Sequence, residues 1–266
     1  MQHTATFKEN DLSLLSVKDH VGTITLNRPK QYNALSRPMI ASISELLDKI
    51  NEDKDIHVVV LAANGPGFCA GHDLKEIREN RSEKYIKALF KECSQMMLNI
   101  LKLHQPVIAK VHSIATAAGC QLVATCDLAV ASEKARFATP GVNIGLFCST
   151  PMVALSRNVS RKNAMEMLLT GDIFSAEHAL NIGLINKVVK EDDLDRVVEE
   201  LALKIASKSP LTLSMGKRAF YKQLESGISE AYDYAGAVMC QNMLTNDADE
   251  GIKAFIEKRQ PEWTGT

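Results

Sequence analysis

Hydrophobic and polar residues follow two kinds of pattern along the chain. Between residues 12 and 29 they alternate on both sides of Asp19 and His20, which predicts a β-hairpin. The apolar runs "IHVVVLAA", "VIAKV" and "DLAVAS" predict strands that are buried in a sheet. The first two runs lead through loops of small residues toward helical patterns. The first part of the chain is therefore expected to alternate strands and helices.

Helical periodicity is the main pattern in the segments between and after these strands. Ser36 and Pro38 begin one amphipathic helix, a second helical stretch covers 82–103, and another helix is expected to begin near Ala118. Further helices are predicted over 150–170, 175–182, 191–207, 211–224, 227–245 and 247–259, with one strand, "INKVV", among them. We therefore expect an α/β core over residues 1–200 and a helical region over residues 201–266.

Charge and composition narrow the choice of partner. The 266 residues include 31 Lys and Arg against 32 Asp and Glu, so the net charge is −1 and the chain has no long basic stripe. This balance argues against a nucleic-acid or acidic-membrane partner and favours small molecules or copies of the same chain. Neither a signal core at residues 1–13 nor a membrane-spanning run is evident, so a cytoplasmic location is expected. The mitochondrial matrix is the alternative, since a presequence could have been removed.

The spacing of the cysteines and histidines along the chain does not indicate a metal site. The six cysteines, Cys69, Cys93, Cys120, Cys126, Cys148 and Cys240, form no CxxC pair, so they are expected to be reduced, buried thiols. His72 and His112 have no second ligand at a metal-binding spacing and are expected to be loop or packed residues. The stretch "GPGFCAG" lacks the GxGxxG spacing of a dinucleotide-binding loop.

Two loops of small residues carry the candidate chemistry. Ala70 and Gly71 follow one buried strand, and 117–119 follow the next. Small side chains would let a ligand carbonyl approach backbone N–H groups that point outward, and two such donors make an oxyanion hole. The alternative is a pair of tight turns with a helix packed closely on a strand.

Several segments resemble the enoyl-CoA hydratase/isomerase (crotonase) superfamily, in order, across nearly the whole chain. They are "LNRPKQYNAL", "GFCAGHDLKEI", "IATAAGCQLVATCDLAVAS", "FATPGVNIGL", "LLTGDIFSAEHALNIGLINKVV" and "EGIKAFIEKRQPEW". The resemblance implies an α/β fold, a ClpP-like spiral of repeated ββα units with a C-terminal helical trimerisation region. It also implies a homotrimer or a dimer of trimers, and an acyl-CoA thioester as ligand with no other cofactor.

The resemblance also implies particular site residues. The backbone N–H groups of His72 and Ala118 match the two oxyanion-hole positions. Contacts to coenzyme A are implied for Arg28, Lys30, Ala70, Lys75, Phe255 and Lys258. Lysines suit the phosphates of coenzyme A as compact point charges.

The chain departs from the family at the two glutamates that hydratases use to position water and move its protons. Gln121 stands in place of the first glutamate and Gly141 in place of the second. No Asp or Glu occurs from residue 93 through 126 or from 134 through 165, and both spans supply walls of the family's thioester pocket. A positioned acid or base contributes about 10²–10⁴ in rate, so efficient hydration is not expected.

The position where the family's dienoyl-CoA isomerases carry an Asp matches Ser149. Gln121, Asn143, Cys148 and Ser149 are the polar candidates near the pocket, although structural roles for them are also expected.

Three functions remain open at this point. The chain could stabilise an enolate of an acyl-CoA in fatty-acid metabolism, since the oxyanion loops are present. It could decarboxylate an acyl-CoA, because departure of CO₂ leaves the enolate without a protein base, although the tyrosine of the family's decarboxylases has no counterpart here. It could also be a non-catalytic acyl-CoA binding or regulatory protein.

Overall fold

The computed structural model describes residues 11–266. Residues 1–10, where no signal core is predicted, lie outside this range. Within this range, ten strands form two sheets. A six-stranded sheet has the order β1-β2-β3-β5-β7-β10, and a four-stranded sheet has the order β4-β6-β8-β9. The strands are β1 (Ser13–Lys18), β2 (Val21–Leu26), β3 (Val58–Ala63), β4 (Gly67–Cys69), β5 (Val107–Val111), β6 (Ile114–Thr116), β7 (Leu128–Ser132), β8 (Arg136–Ala138), β9 (Phe174–Ser175) and β10 (Lys187–Val189).

Eleven α-helices are found within residues 11–266. They are α1 (Arg37–Glu52), α2 (Leu74–Glu79), α3 (Glu83–Lys102), α4 (Ala118–Thr125), α5 (Pro151–Asn158), α6 (Arg161–Thr170), α7 (Ala176–Asn181), α8 (Leu194–Ala206), α9 (Pro210–Gln223), α10 (Ile228–Met243) and α11 (Asn246–Glu257). The pairs β3–β4, β5–β6 and β7–β8 each place one strand in the large sheet and the next in the small sheet, before the chain enters helices. This is the spiral of ββα units, followed by helices, that the family resemblance implies.

The large sheet is covered on both faces. Val59 and Leu61 of β3 lie in the main core, whereas Val58 and Val60 lie in a smaller cluster with α8. Burial on both faces explains why β3 is an uninterrupted apolar run instead of an alternating one. The β1–β2 hairpin predicted from alternation is present, with Lys18 paired to Val21.

Local signals set the helix boundaries. Ser36 caps α1 by accepting a hydrogen bond from the amide of Met39, with Pro38 in the first turn. The single helix predicted over 150–170 is wrong, because the chain breaks after Asn158 and Ser160 starts α6 by accepting from Asn163 N. Residue 200, the predicted end of the core, lies inside α8, which packs on the large sheet.

A buried ion pair connects the C-terminal helices to the core. Lys217 of α9 lies 2.7 Å from Asp127 and donates to the carbonyls of Ile100 and Gln105, both at 2.9 Å. Tyr221, one turn later, donates to the other oxygen of Asp127 at 2.7 Å. Every donor of the ammonium group therefore has a partner, which is what a buried charge requires.

Five of the six cysteines are buried and all six are free thiols. Cys240 on α10 is exposed, so the prediction that all of them are buried is wrong at this position. Among residues 11–266, no helix has both the length and the apolar character needed to cross a membrane.

Candidate functional site

The two small-residue loops lie against each other at the ends of β4 and β6. Thr116 Oγ1 donates to the carbonyl of Ala70 at 3.0 Å. A Cβ on Gly119 would lie 2.0 Å from the carbonyl oxygen of Cys69, so α4 approaches β4 more closely than any side chain would permit. Small residues are therefore needed here because the two loops contact each other closely.

The contact leaves two neighbouring amides unused. Within residues 11–266, neither His72 N nor Ala118 N donates a hydrogen bond to another group of the chain. A Cβ on Gly71, which directly precedes His72, would lie 3.1 Å from Ala118 N. Ala118 is also the first residue of α4, so its N–H has no acceptor inside the helix and the helix dipole favours negative charge there. Two adjacent free donors can bind an oxygen that carries negative charge.

Backbone strain accompanies this geometry. Ala117, directly before α4, has φ +50° and ψ −118°, a conformation that favours glycine. Its own amide donates to Ala138 at 2.9 Å, which ties the loop to β8. Strained non-glycine residues are concentrated at functional sites. Here the strained residue sets the direction of the next amide, that of Ala118.

Gln121 lies one helical turn after Ala117 and donates its backbone N–H to the carbonyl of Ala117 at 3.0 Å. Its side chain is 5% exposed, and Oε1 has no hydrogen-bond partner. An amide of this kind can orient a polar group, but it cannot accept a proton as a glutamate does.

Gly141 lies in a short 3₁₀-helix, Pro140–Ile144. A Cβ placed there would lie 2.7 Å from the carbonyl oxygen of Leu146 and 2.9 Å from Cys148 Sγ. The backbone at residue 146 and the Cys148 thiol therefore occupy the space into which a side chain at Gly141 would extend. Burial raises the pKa of this thiol, so it is protonated at neutral pH.

Four of the residues implied for coenzyme A line one cavity of about 560 Å³, namely Arg28, Lys30, Ala70 and Lys75. Arg28 is already engaged there, because its Nη1 lies 2.7 Å from Asp73 Oδ2. Burial alone would raise the pKa of Asp73, but hydrogen bonds from Arg28 and from the amides of α2 hold it below its usual value. Lys30 and Lys75 are exposed and carry the positive charge that remains available to an anion.

Phe255 and Lys258 lie elsewhere, on and just after α11. Phe255 is 86% exposed and lines a second cavity together with Trp263 and Asp247. The structure therefore does not bring these two residues into the cavity that contains Arg28.

His72 and His112 are loop or packed residues, as the sequence predicts. Burial lowers the pKa of His72 to about 4, so its imidazole is neutral near pH 7, and the ring makes an edge contact with Phe90. His112 Nε2 lies 2.8 Å from the carbonyl oxygen of Gly65. Among the other polar candidates, Asn143 donates to Gly171 at 3.3 Å and Ser149 to Phe147 at 3.3 Å, which are structural roles.

Sequence reasoning missed Thr139. It is 1% exposed and its Oγ1 has no partner. It follows Ala138, the acceptor for Ala117, and precedes Pro140. Its position two residues before Gly141 was the signal available in the sequence, because an unpaired hydroxyl is a property of tertiary packing.

Comparison with known proteins gives a consistent result. The family model described as enoyl-CoA hydratase/isomerase matches residues 16–266. The mitochondrial enoyl-CoA hydratase domain-containing protein 3 of Xenopus laevis is 46% identical over 264 residues, covering 99% of this chain and 88% of that protein.

Two crystal structures extend the similarity to three dimensions. An enoyl-CoA hydratase of Mycobacterium smegmatis has a TM-score of 0.93 and 53% identity, covering 95% of this chain and 98% of that one. Human enoyl-CoA hydratase domain-containing protein 3 has a TM-score of 0.92 and 46% identity, covering 95% and 100%.

The chain belongs to the enoyl-CoA hydratase/isomerase (crotonase) family. Within this family it falls in the branch of enoyl-CoA hydratase domain-containing protein 3, to which the motifs "ATAAGCQLVA" and "FATPGVNIGLFCSTP" also point.

Proposed function

We propose that the protein binds an acyl-CoA thioester and stabilises negative charge on the thioester oxygen through the amides of His72 and Ala118. The observation that supports this most directly is the adjacency of two donors that have no acceptor among residues 11–266. Removal of one such donor typically costs about 10²–10³ in turnover where an oxyanion forms. The two amides would therefore stabilise an enolate formed from the bound thioester. Acyl-CoA thioesters of fatty-acid metabolism are the substrates proposed.

Efficient hydration of an enoyl-CoA is not part of this proposal. Neither position 121 nor position 141 has a carboxylate, so neither Gln121 nor Gly141 can exchange a proton with water. A relative with both glutamates should therefore hydrate crotonyl-CoA about 10²–10⁴ times faster than this protein. Gln121→Glu, which restores one carboxylate at a position that already holds a side chain of the same size, tests the point and should raise the rate of crotonyl-CoA hydration above that of the natural sequence. Appreciable hydration by the natural sequence that survives Gln121→Leu would contradict it.

The second candidate is a non-catalytic acyl-CoA binding protein. The observation in its favour is that the carbonyl oxygen of Leu146 and the thiol of Cys148 lie where the side chain of an acid at position 141 would extend. Both candidates require that the thioester binds. They differ in whether the thioester is altered.

Mass spectrometry separates the two candidates. The protein is incubated in D₂O with enoyl, malonyl-type and branched acyl-CoA thioesters, and ultrafiltration measures the bound fraction. Gain of water, loss of CO₂ or α-deuteration supports the enzyme. Retention of an unchanged thioester, with free coenzyme A retained less, supports the binding protein. If no thioester is retained or altered, the proposal is wrong.

The proposed assembly is a homotrimer or a dimer of trimers. Large apolar side chains of the C-terminal helices are exposed in the single chain, among them Ile228 at 81%, Leu244 at 82% and Phe255 at 86%. α10 and α11 contact each other, and large apolar side chains exposed on adjoining helices are a feature of protein interfaces. Light scattering coupled to size-exclusion chromatography would measure the assembly directly.

For the compartment we propose the mitochondrial matrix. Relatives from Xenopus laevis and Homo sapiens carry "mitochondrial" in their names, which favours this alternative and gives no support to the cytoplasmic prediction. Imaging of a fluorescent fusion of the natural gene product would decide between the two.

A further inference from the structure

A short β-bridge on one side of His72 fixes the direction of its free amide. Leu35 and His72 form an isolated parallel bridge. In it, Leu35 N donates to the carbonyl of Gly71 at 2.7 Å, and Asp73 N donates to the carbonyl of Leu35 at 3.3 Å. Successive N–H groups of an extended chain point to opposite sides, so the N–H of His72 faces away from Leu35. The bridge therefore leaves this donor free for a ligand.

Leu35 is held in place by the turn before it, residues 28–34. The consecutive residues Tyr32 and Asn33 have positive φ, at +49° and +54°. Asparagine adopts this left-handed conformation more readily than most other residues. The carbonyl of Tyr32 also accepts a hydrogen bond from Ala70 N at 3.0 Å, so the turn lies directly beside the loop with the free amide. The shape of the turn is therefore coupled to the shape of that loop.

The side chain of Asn33 joins this turn to the connection between β3 and β4. Its Nδ2 donates to the carbonyls of Asn64 and Gly67, both at 2.9 Å, and its Oδ1 accepts from Arg28 N at 2.8 Å. One amide group thus sets the distance between the turn and the strand that leads into the loop at 70–73. Because Asn33 is 0% exposed, any effect on a ligand has to act through this backbone.

We propose that Asn33 is a positioning residue for the first of the two oxyanion donors, the amide of His72. Its side chain holds the turn where Leu35 pairs with His72, and the pairing keeps the N–H of His72 directed at the oxygen of a bound thioester. This inference rests on the proposed binding of a thioester by the amides of His72 and Ala118. An aspartate at position 33 has the same shape but no N–H to donate, and its oxygens would face two carbonyl oxygens.

A matched pair of ligands isolates the contribution of the two amides. Butyryl-CoA and the thioether S-butyl-CoA differ only in the carbonyl oxygen, so the ratio of their dissociation constants measures the hydrogen bonds to that oxygen. Calorimetry should show that the natural protein binds the thioester about tenfold or more tightly than the thioether. In Asn33→Asp the preference should fall to about threefold or less, because one donor is misdirected. Changes in the contacts to coenzyme A affect both ligands equally and cancel in the ratio.

Infrared difference spectroscopy gives a second readout. Hydrogen bonds to a carbonyl oxygen lower its stretching frequency, so butyryl-CoA labelled with ¹³C at the carbonyl should absorb at lower frequency when bound to the natural protein than when free. The shift should be smaller in Asn33→Asp. A loss of stability alone would not change the frequency of the bound carbonyl.

Gln105→Glu is the matched control. Gln105 is also buried, and its Nε2 donates to the carbonyls of Ile50 and Ile56 at 2.9 and 3.1 Å. It lies at the start of β3 and β5, whereas Asn33 bonds the chain just after the end of β3. The same change from amide to acid should therefore keep the preference of the natural protein. Thermal melting checks folding, and Asn33→Gly, which suits the positive φ and removes the side chain, decides if Asn33→Asp does not fold.

The outcomes separate this inference from the proposal it rests on. An unchanged preference for the thioester in the folded Asn33 variant would overturn the positioning role and leave thioester binding intact. An equal fall in Gln105→Glu would also overturn it, because loss of any buried amide would then have the same effect. Equal binding of the two ligands by the natural protein, or no binding of either, would overturn both the proposed oxyanion site and this inference.

Discussion

A methyl group on Gly71 would lie 3.1 Å from the amide nitrogen of Ala118 and 2.9 Å from the methyl group of Ala117. Two loops that are far apart in sequence thus meet at the point where the free donors are exposed. The side chain that is missing at Gly71 is what keeps the second donor accessible.

Gly71→Ala should therefore block the site as well as strain it. The added methyl group covers Ala118 N, and φ +88° disfavours alanine, so we expect thioester binding at least tenfold weaker and a loss of about 1–2 kcal/mol in the free energy of unfolding. Gly145→Ala is the control, because φ there is +77° and no atom lies within 4 Å of the new Cβ. It should cost less stability, because the close contacts are absent, and it should leave binding intact. Equal binding by the two variants would contradict the steric argument.

Gly141→Ala should destabilise the protein by about 1–3 kcal/mol, since the new methyl group would overlap the backbone at Leu146. Gly236→Ala in α10 is the matched control. It has open space around the new Cβ and lies within a helix, so it should raise the free energy of unfolding by about 0.5–1 kcal/mol. Urea unfolding measures both values. A neutral Gly141→Ala would mean that the 146–148 segment moves aside easily.

The neutral His72 should make stability fall in mild acid. Burial lowers its pKa from 6.5 to about 4 in the folded state, so between those pH values the unfolded chain binds a proton that the folded chain does not. The free energy of unfolding is then unaffected above about pH 6.5 and falls by on the order of 2–3 kcal/mol as the pH drops to about 4.

His72→Leu removes this contribution, and the difference between variant and natural protein, measured by urea unfolding across that pH range, isolates it. His104→Gln, at an exposed position, serves as the control. Parallel pH profiles for the natural protein and His72→Leu would show that the imidazole is not buried in the neutral form.

Breaking the Lys217–Asp127 pair should cost about 3–5 kcal/mol, because Lys217→Met leaves the carboxylate of Asp127 partly buried without its cation. Desolvation lowers the pKa of Lys217 and its bonds to Asp127 oppose that effect, so the pair is best tested by removal of one partner. The control is Lys18→Met at an exposed pair with Glu199, where a loss of about 0–1 kcal/mol is expected. Similar losses in the two variants would contradict the role assigned to the buried pair.

Residue patterns predicted the large sheet well, because five of its six strands have five or six residues and are either alternating or continuously apolar. Val58–Ala63 is an apolar run that no exposed segment would tolerate. The small sheet escaped prediction, since Gly67–Cys69 and Ile114–Thr116 have three residues each, too few to show a period of two. Their pairing depends on contacts between distant segments.

The candidate site was predictable only in part. The small residues at 70–71 and 117–119 indicated two close loops, and the resemblance to a known family indicated which amides they expose. The occupation of the space beside Gly141 by Cys148 could not be predicted, because it depends on how the chain turns back after Ile144. The same holds for the unpaired hydroxyl of Thr139.

The distribution of the thiols makes one position chemically addressable. Burial raises the pKa of Cys69, Cys93 and Cys120 to about 12, and it also raises that of Cys126 and Cys148, whereas Cys240 is exposed on α10. Because the thiolate is the nucleophile, a maleimide dye should attach at Cys240 and leave the other five untouched. The unmodified protein thus carries a single labelling position among its C-terminal helices, at which fluorescence can report on the association of one copy with another.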